Sequence, residues 1–335
     1  MESKINIIIP AIEVSNDLLT CLKKLKDQRY KNFFVTIVFD FYNKQIIKKF
    51  DYSLNILVTG KKNMSYKRNL AAKKFNSHYV AFLDSDAYPN KNWLKFAEKY
   101  LRENTAQIVG GPSISFPNSK LVQKITYLSK RSYFVTGYQS FRKYKSSSRY
   151  CDWIESCNIL MNRKFFLKYK MNEKIYTGED KEFFARIRKN KKNLKVYHCS
   201  KLYIFHNERS YFGFLLQRMV FGMDFINLIN SSIGIKGFQV LLPLFFFLIY
   251  ITSLFYAYFN PDFRANLIYL LYATVVILFV ICFEIFSYVK NKLLLPSVLF
   301  TIILANISFA LGGLISLFRL KKKLIKLLYR KSQNK

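Results

Sequence analysis

The hydrophobic pattern of this 335-residue chain changes near Gly237. Before it, the clearest element is the apolar run 79–83, which has strand length and is rich in aromatic residues, with a helix expected on its N-terminal side. After it, three long apolar runs follow at 240–259, 267–286 and 293–318. The pattern therefore predicts an α/β domain followed by a region of apolar helices.

Two carboxylates, Asp84 and Asp86, follow the apolar run directly, and Pro89 closes the segment. The C-terminal ends of strands are where open α/β sheets bind ligands. Two acidic side chains one residue apart suit a divalent cation that also holds substrate phosphates. The alternative is a solvated turn, because Asp and Ser are ordinary turn residues.

The flanking residues favour the functional interpretation. Lys67-Arg68-Asn69 opens the preceding helix, and Trp93-Leu94 follows the acidic pair. This block resembles the middle of the family 2 glycosyltransferases. The resemblance continues with a first strand at 5–10, a first helix and turn at 22–30, a second strand at 33–40, a strand at 157–161, a Glu-Asp motif at 177–180 and a helix at 183–189.

The resemblance implies an α/β fold of the nucleotide-diphospho-sugar transferase type, which is GT-A-like with a Rossmann-related mixed sheet. It departs from the family after Asp40, where Phe41-Tyr42-Asn43 replace the usual second acid and Ser. This departure concerns the contacts to the base and ribose of the donor.

The resemblance also assigns roles in sugar transfer. Asp180 is expected to be the general base, with Glu179 positioning the acceptor. Mg²⁺ or Mn²⁺ is expected at Asp84, Asp86 and His206. Contacts to the nucleotide sugar are expected from Pro10, Asp40, Arg68, Asn69, Asp84 and Arg218, the two arginines because a guanidinium matches phosphate geometry. Alternatively, Glu179-Asp180 caps a helix and His206 is a surface histidine.

Composition narrows the possible partners and the compartment. The formal net charge is +34, which suits nucleic acid, anionic membrane or phosphorylated substrates. No nucleic-acid-binding motif is present in the sequence, so nucleic acid is not an expected partner. Five cysteines with irregular spacing and no Cys-x-x-Cys fit a reducing compartment. Because the N-terminus does not resemble a signal peptide, the catalytic part is expected in the cytoplasm.

The three apolar runs are long enough to cross a bilayer as helices. The expected organisation is a catalytic domain at 1–209, an amphipathic interfacial linker at 210–238, membrane helices at 239–318 and a basic tail at 319–335. Segment 210–229 could equally be a packed surface helix, and 121–141 suits the headgroup level.

The charge rule puts the basic tail inside, whereas three full crossings put it outside. We therefore expect the third run to be bent or re-entrant at Pro296 and Gly312-Gly313. A plain three-helix crossing is the alternative.

These observations predict a membrane-bound, inverting, metal-dependent glycosyltransferase of the hexosyltransferase type. It would sit as a multi-pass protein in the inner membrane. It would move a sugar from a nucleotide-sugar donor to a lipid-linked or polysaccharide acceptor in cell-surface glycan synthesis. Residues 217–221 lack the Gln-x-x-Arg-Trp motif of processive enzymes, which favours single additions. The alternatives are a catalytically inactive membrane scaffold, against which the retained acids argue, and a nucleotidyltransferase.

Overall fold

The chain forms two compact units, and each contains segments that are distant in the sequence. The computed structural model describes residues 3–42, 50–175, 177–224 and 241–317. The first unit comprises 1–118 and 141–207, and the second comprises 119–140 and 208–335. Segment 119–140 therefore belongs with the C-terminal helices, although it lies in the middle of the chain.

The first unit is built on a mixed sheet, as predicted. Among the described residues, eight strands follow the order β3-β2-β1-β4-β9-β6-β10-β8, and a smaller sheet follows β5-β11-β7. The strands are β1 Ile5–Ala11, β2 Phe33–Phe39, β3 Ser53–Val58, β4 Tyr79–Leu83, β5 Ala87–Pro89, β6 Ile108–Gly110, β7 Ser113–Ser115, β8 Arg149–Tyr150, β9 Asn158–Asn162, β10 Val196–His198 and β11 Ile204–His206. Strands β1 to β4 pair in parallel, and β9 runs antiparallel between β4 and β6.

Helices cover both faces of the large sheet. Alternation along β1 explains this arrangement, because Ile5, Ile7 and Ile9 join one buried cluster and Ile8 joins the other. The helices of this unit are α1 Asn16–Leu25, α2 Met64–Lys74, α3 Trp93–Arg102, α6 Arg163–Tyr169 and α7 Glu179–Asn190.

The first helix begins earlier than predicted, since residues 22–30 were expected to form the helix and the turn after it. Ser15 caps α1, since its side chain accepts a hydrogen bond from the backbone N–H of Leu18 at 3.2 Å. The helix ends at Leu25, and the Gln28-to-Tyr30 segment follows it outside the helix. The prediction covered only the last turn of the helix. It was based on the Gln28-to-Tyr30 motif that follows the helix and not on the capping residue Ser15 that starts it.

The second unit is helical. In the described part of this unit the helices are α4 Leu121–Arg131, α5 Tyr133–Thr136, α8 Tyr211–Met223, α9 Leu242–Phe259, α10 Leu267–Tyr288 and α11 Leu295–Leu317. Within that part, three helical segments are long and apolar enough to cross a membrane, namely Leu242–Phe259, Pro261–Tyr288 and Lys292–Ser316. The predicted runs 240–259, 267–286 and 293–318 correspond to them within a few residues.

The third apolar helix is unbroken over Leu295–Leu317, which does not support the expected re-entrant turn at its Pro and Gly residues. Pro296 is the second residue of α11. The first N–H groups of a helix make no intrahelical hydrogen bond, so proline, which lacks an N–H, is tolerated there. Gly312 and Gly313 lie inside the helix, and they serve close packing instead. A Cβ on Gly312 would lie 2.0 Å from the Met219 carbonyl oxygen of α8.

Helix α8 packs so closely along α11 that the backbones of the two helices are in contact at their glycines. A Cβ on Gly222 would lie 1.9 Å from the Phe309 carbonyl oxygen, so only glycine fits at this crossing. Of the two interpretations of 210–229, the structure thus favours a packed helix for residues 211–223. Residues 225–238 and the basic tail 319–335 lie outside the described residues.

Segment 119–140 is anchored within this helical unit by polar contacts. Glu284 of α10 accepts hydrogen bonds from the Ser132 hydroxyl and the Tyr133 backbone N–H, both at 2.6 Å. Lys130 and Glu208 form a buried ion pair at 2.6 Å. These contacts satisfy charged groups that would otherwise be costly to bury.

Candidate active site

The two carboxylates and a histidine meet at one end of the sheet. Asp84 follows β4, and Asp86 immediately precedes β5. Because β11 pairs antiparallel with β5, His206 lies opposite Ala87 and next to the acidic pair. The His206 Nε2 atom is 3.7 Å from Asp84 Oδ2 and 3.5 Å from Asp86 Oδ1. The predicted group of metal-binding side chains is therefore brought together by strand pairing.

This arrangement fits a hard divalent cation. Neighbouring oxygen ligands of an octahedral ion with bonds of about 2.1 Å are about 3 Å apart, close to the observed spacings. Cys157 also lies within 4.8 Å of the Asp84 and His206 ligand atoms. Burial, followed by the nearby Glu155 and Asp84 charges, raises the pKa of the Cys157 thiol well above its ordinary value. A hard cation such as Mg²⁺ prefers oxygen ligands to sulfur, so Asp84, Asp86 and His206 are the candidate ligands.

The segment before His206 contains a turn and a short strand. Ser200–Leu202 form a 3₁₀ turn, and Ile204–His206 form strand β11. The Asn158 amide explains this turn, because it donates to the carbonyl oxygens of Leu202 at 2.7 Å and Gly111 at 2.9 Å. The strand that follows this turn ends at His206.

Arg68 connects the acidic pair to the Glu-Asp motif. Its guanidinium side chain is 2% exposed and donates to Asp84 Oδ1 at 2.9 Å. Its other terminal nitrogen, NH1, is 3.8 Å from Glu179 Oε1. A buried arginine held between two carboxylates provides a fixed positive charge between the acidic pair and the Glu-Asp motif.

Glu179 and Asp180 open helix α7. Gly178 precedes them with φ of +67°, a conformation that glycine adopts without steric cost. Burial is the main cause that raises the pKa of Glu179 to about 7, with a further contribution from the Asp180 charge. Burial also raises the pKa of Asp180. Raised carboxylate pKa values suit proton transfer near neutral pH.

Asp180 is oriented by backbone groups. Its Oδ1 accepts a hydrogen bond from the Lys181 N–H at 2.8 Å, and its Oδ2 lies 3.4 Å from the Ser156 N–H. Both acids also lie in the first turn of α7, where the helix dipole stabilises negative charge. The helix-terminus interpretation of Glu179-Asp180 and the catalytic one are therefore compatible.

Asp40 stands at the end of β2, next to the end of β1. Lys67 of α2 reaches its Oδ1 at 2.8 Å and the Ala11 carbonyl oxygen at 2.5 Å. Pro10 lies buried in β1 and pairs with Val38. The sequence analysis placed Lys67 on the helix but did not predict its contact with Asp40. Sequence alone does not reveal which strand end a side chain on a helix reaches.

Two of the expected donor contacts have other partners. The Asn69 amide donates to the Met171 carbonyl at 2.9 Å and to Glu173 Oε1 at 2.8 Å, and so holds the loop before Gly178. Arg218 lies in the second unit, where its Nε is 3.5 Å from the Ala305 carbonyl oxygen of α11 and its guanidinium lies over Phe309. The structure thus gives both side chains a packing role.

A charged cluster near Asp180 was missed by sequence reasoning. Glu155 contacts Lys143 Nζ at 2.7 Å, Ser113 Oγ at 2.7 Å and Arg142 NH1 at 3.4 Å. Burial opposes ionisation, yet Lys143 and Arg142 hold the pKa of Glu155 well below its ordinary value. No local motif marks these residues, since they are separated along the chain and only the fold brings them together.

The mixed sheet and the acidic strand end define an α/β domain with a candidate ligand site. Residues 6–170 match the family described as Glycosyl transferase family 2, so this part of the chain is a family 2 glycosyltransferase domain. The expectation from the motifs of this domain is thereby confirmed.

Named relatives agree with this assignment over short segments. The glycosyltransferase GlyA of Streptococcus pneumoniae is 29% identical over 126 residues, which is 36% of this chain and 18% of that protein. An uncharacterized glycosyltransferase of Rickettsia bellii is 32% identical over 108 residues, which is 31% of this chain and 16% of that protein. The chain thus aligns with less than a fifth of either relative. The crystal structure of S. aureus TarS covers 71% of this chain with 41% of its own, at 18% identity and a TM-score of 0.43.

Proposed function

We propose that this protein transfers a sugar from a nucleotide-sugar donor to a lipid-linked or glycan acceptor, with inversion at the anomeric carbon and with a divalent cation. The reaction would serve cell-surface glycan synthesis. The observation that carries the proposal is the row Glu179, Arg68, Asp84 and His206, in which each side chain lies within 4 Å of the next. This row joins the Glu-Asp motif to the candidate cation ligands.

The donor would be held by fixed charges. Mg²⁺ or Mn²⁺ at Asp84, Asp86 and His206 would neutralise the diphosphate as the glycosidic bond to it breaks. Arg68 supplies a second positive charge, and its burial keeps water from weakening that charge. Because Asp84 Oδ1 already accepts from Arg68, its Oδ2 is the oxygen directed toward His206.

Asp180 would act as the general base. Its carboxylate takes the proton of the acceptor hydroxyl while the oxygen attacks the anomeric carbon and the diphosphate leaves with the bonding electrons. The two backbone N–H groups near Asp180 fix its orientation. Glu179 lies 3.8 Å from the Arg68 guanidinium and would partly offset its positive charge in the space between the general base and the donor.

We further propose that the apolar helices anchor the protein as a multi-pass protein of the inner membrane, with the glycosyltransferase domain on the cytoplasmic side. A continuous α11 supports three plain crossings, which would put residue 335 on the opposite side from the domain. Reporter fusions after residue 335 test this. An active periplasmic reporter supports three crossings, and an active cytoplasmic reporter contradicts them.

The function is tested with the purified full-length protein in detergent. UDP, GDP, dTDP and CDP are screened by thermal shift with and without MnCl₂, and active donors are then identified by release of the nucleoside diphosphate. We expect one nucleotide to raise the melting temperature only when Mn²⁺ is present.

Asp86→Asn is expected to abolish both the Mn²⁺-dependent shift and turnover, because the amide lacks the charge that neutralises the ion. The exposed Asp27→Asn in the same unit is the matched control. Full activity of Asp86→Asn, or no response of the wild type to any nucleotide, would contradict the proposal. Doublet splitting of the product anomeric proton in NMR reports inversion or retention.

A further inference from the structure

Three unlike metal-binding side chains converge at the acidic strand end. Asp84, Cys157 and His206 each offer one ligand atom, and these three atoms all lie within 4.8 Å of one another. They supply an oxygen, a sulfur and a nitrogen, which is a softer set of ligands than two carboxylates and an imidazole. The hard set and the soft set share Asp84 and His206, and they differ in whether Asp86 or Cys157 completes them.

Strand pairing brings the sulfur to the acidic strand end. Strand β9 runs antiparallel to β4 with Asn158 opposite Leu83. Cys157 directly precedes Asn158 and Asp84 directly follows Leu83, so the thiol and the carboxylate leave the paired strands side by side. The Cys157 side chain is buried there, next to a carboxylate that is only partly buried.

A buried amide network holds the thiol and the imidazole in place. The Asn158 side chain accepts a hydrogen bond from Trp93 Nε1 at 2.8 Å and donates one to the Leu202 carbonyl oxygen at 2.7 Å. Asn158 follows Cys157, and Leu202 lies on the segment that leads to His206. Ligands on strands that packing and hydrogen bonds already fix need little rearrangement to bind an ion.

The spacing of the three atoms is close to that of a tetrahedral zinc site. With bonds of about 2.0 to 2.3 Å, neighbouring ligand atoms of such a site lie about 3.3 to 3.6 Å apart. His206 Nε2 is 3.7 Å from Asp84 Oδ2. The sulfur starts within 4.8 Å of both, so it has to approach by no more than about 1.2 Å, which a rotation of the Cys157 side chain can supply.

Zinc binding would replace the proton of the thiol. Burial raises the pKa of Cys157, which keeps the thiol protonated when no metal is bound. A divalent ion outweighs this effect, because its charge deprotonates a coordinating thiol outright. The proton passes to the buffer as the Zn–S bond forms, so the step needs neither an oxidant nor a reductant.

We propose that Asp84, Cys157 and His206 form a binding site for Zn²⁺ and for chemically similar ions. Affinities for nitrogen and sulfur ligands favour Zn²⁺ over Mn²⁺, and Mg²⁺ prefers oxygen. Because Asp84 and His206 are also candidate ligands of the cation in the proposed transfer reaction, Zn²⁺ would compete with that cation. This competition rests on the proposed function, whereas the zinc site itself does not.

Cobalt is a spectroscopic probe for this site, since Co²⁺ accepts the same ligands as Zn²⁺ and a bound thiolate gives it a near-ultraviolet charge-transfer band. Full-length protein in detergent is titrated with CoCl₂ and then with ZnCl₂ or MgCl₂. The wild type should develop the band, and Zn²⁺ should abolish it at concentrations at which Mg²⁺ does not.

Cys157→Ser should lose the band and should bind Zn²⁺ at least about tenfold more weakly, measured by competition with a metal-sensitive dye. Changes to outer-shell partners alone cost about 10- to 100-fold in metal affinity, and this change removes a direct ligand. Cys282→Ser is the matched control, because Cys282 is an exposed cysteine outside the site, and it should keep the band. Asp86→Asn should keep the band too, since the soft set does not include its carboxylate.

Folding of each variant is checked by its melting temperature without metal. If Cys157→Ser does not fold, Cys157→Ala takes its place, because alanine adds no hydroxyl to a buried position. A band that persists in the folded Cys157 variant, or a wild type without the band, overturns the inference and leaves the proposed function standing. A wild type that shows the band but responds to no nucleotide supports the zinc site and contradicts the proposed function alone.

Discussion

The cluster around Glu155 supports a prediction that combines stability and proton transfer. Glu155→Gln keeps the size of the side chain and can still accept from Ser113, but it removes the charge that pairs with Lys143 and Arg142. Breaking a buried ion pair costs about 3 to 5 kcal/mol. Because the Glu155 side chain is 22% exposed and the Ser113 contact survives, we expect a loss of about 2 to 3 kcal/mol at pH 7.

The loss should depend on pH in a defined direction. The pKa of Glu155 is held below its ordinary value of 4.5, so the stabilisation is complete above that value and is lost as the pH falls below it. The difference in stability between wild type and variant should therefore be largest at pH 7 and should shrink at about pH 3.5.

Thermal unfolding measured by tryptophan fluorescence is a suitable assay. The Arg142 guanidinium carbon lies 3.6 Å from the centroid of the Trp153 ring, so the fluorescence of Trp153 reports on the cluster directly. A loss of 2 to 3 kcal/mol corresponds to a fall of about 5 to 10 °C at pH 7. The exposed Glu103→Gln is the control and should change little. A melting temperature equal to that of the wild type, or a difference that does not change with pH, would refute the reasoning.

The same variant should change the pH dependence of turnover. Burial raises the pKa of Asp180, Glu155 adds to that rise, and Arg142 opposes it. Removing the Glu155 charge should lower the Asp180 pKa, so the acid limb of the rate profile should move to lower pH. A shift to higher pH would argue against Asp180 as the base.

Three further predictions follow from the site and the helices. Asp180→Asn should remove transfer while nucleoside diphosphate affinity stays within about twofold, since the base acts on the acceptor; a matching loss of affinity would indicate a binding role instead. Gly222→Leu should lower the melting temperature in detergent by the upper end of an overpacking cost of about 1 to 3 kcal/mol, because the Phe309 carbonyl occupies the space, whereas the exposed Leu311→Phe should be tolerated. The protein should stay in the membrane pellet after carbonate extraction, and full-length protein in the supernatant would rule out the transmembrane assignment.

Much of the fold was predictable because local signals were strong. The strand over 79–83 was predicted with its observed bounds, since five apolar residues lie between polar segments. The three apolar helices were predicted within a few residues for the same reason. The start of α1 was missed because its signal is a single capping serine, Ser15, and the continuity of α11 was missed because Pro296 was treated as interior.

The site was predictable in its residues but not in its connections. Asp84 and Asp86 follow a recognisable strand, and the meeting with His206 agrees with the expected grouping. The bridge from Arg68 to Glu179 joins residues more than 100 positions apart, and no pattern along the chain encodes that distance. Lys67 was invisible for the same reason, because a lysine on a helix is ordinarily solvated.

The anchoring of Ser132 by Glu284 has a consequence for biogenesis. The two residues are separated by 152 positions, so the ribosome makes one long before the other. At about 5 to 20 residues per second, the Ser132 segment waits about 8 to 30 s for its partner. During that interval its apolar side chains Ile125, Leu128 and Val135, which belong to one apolar cluster with residues of α10 and α11, have no α10 or α11 to pack beside. The nascent chain should therefore expose a transient binding surface for chaperones that closes only when the later apolar helices emerge.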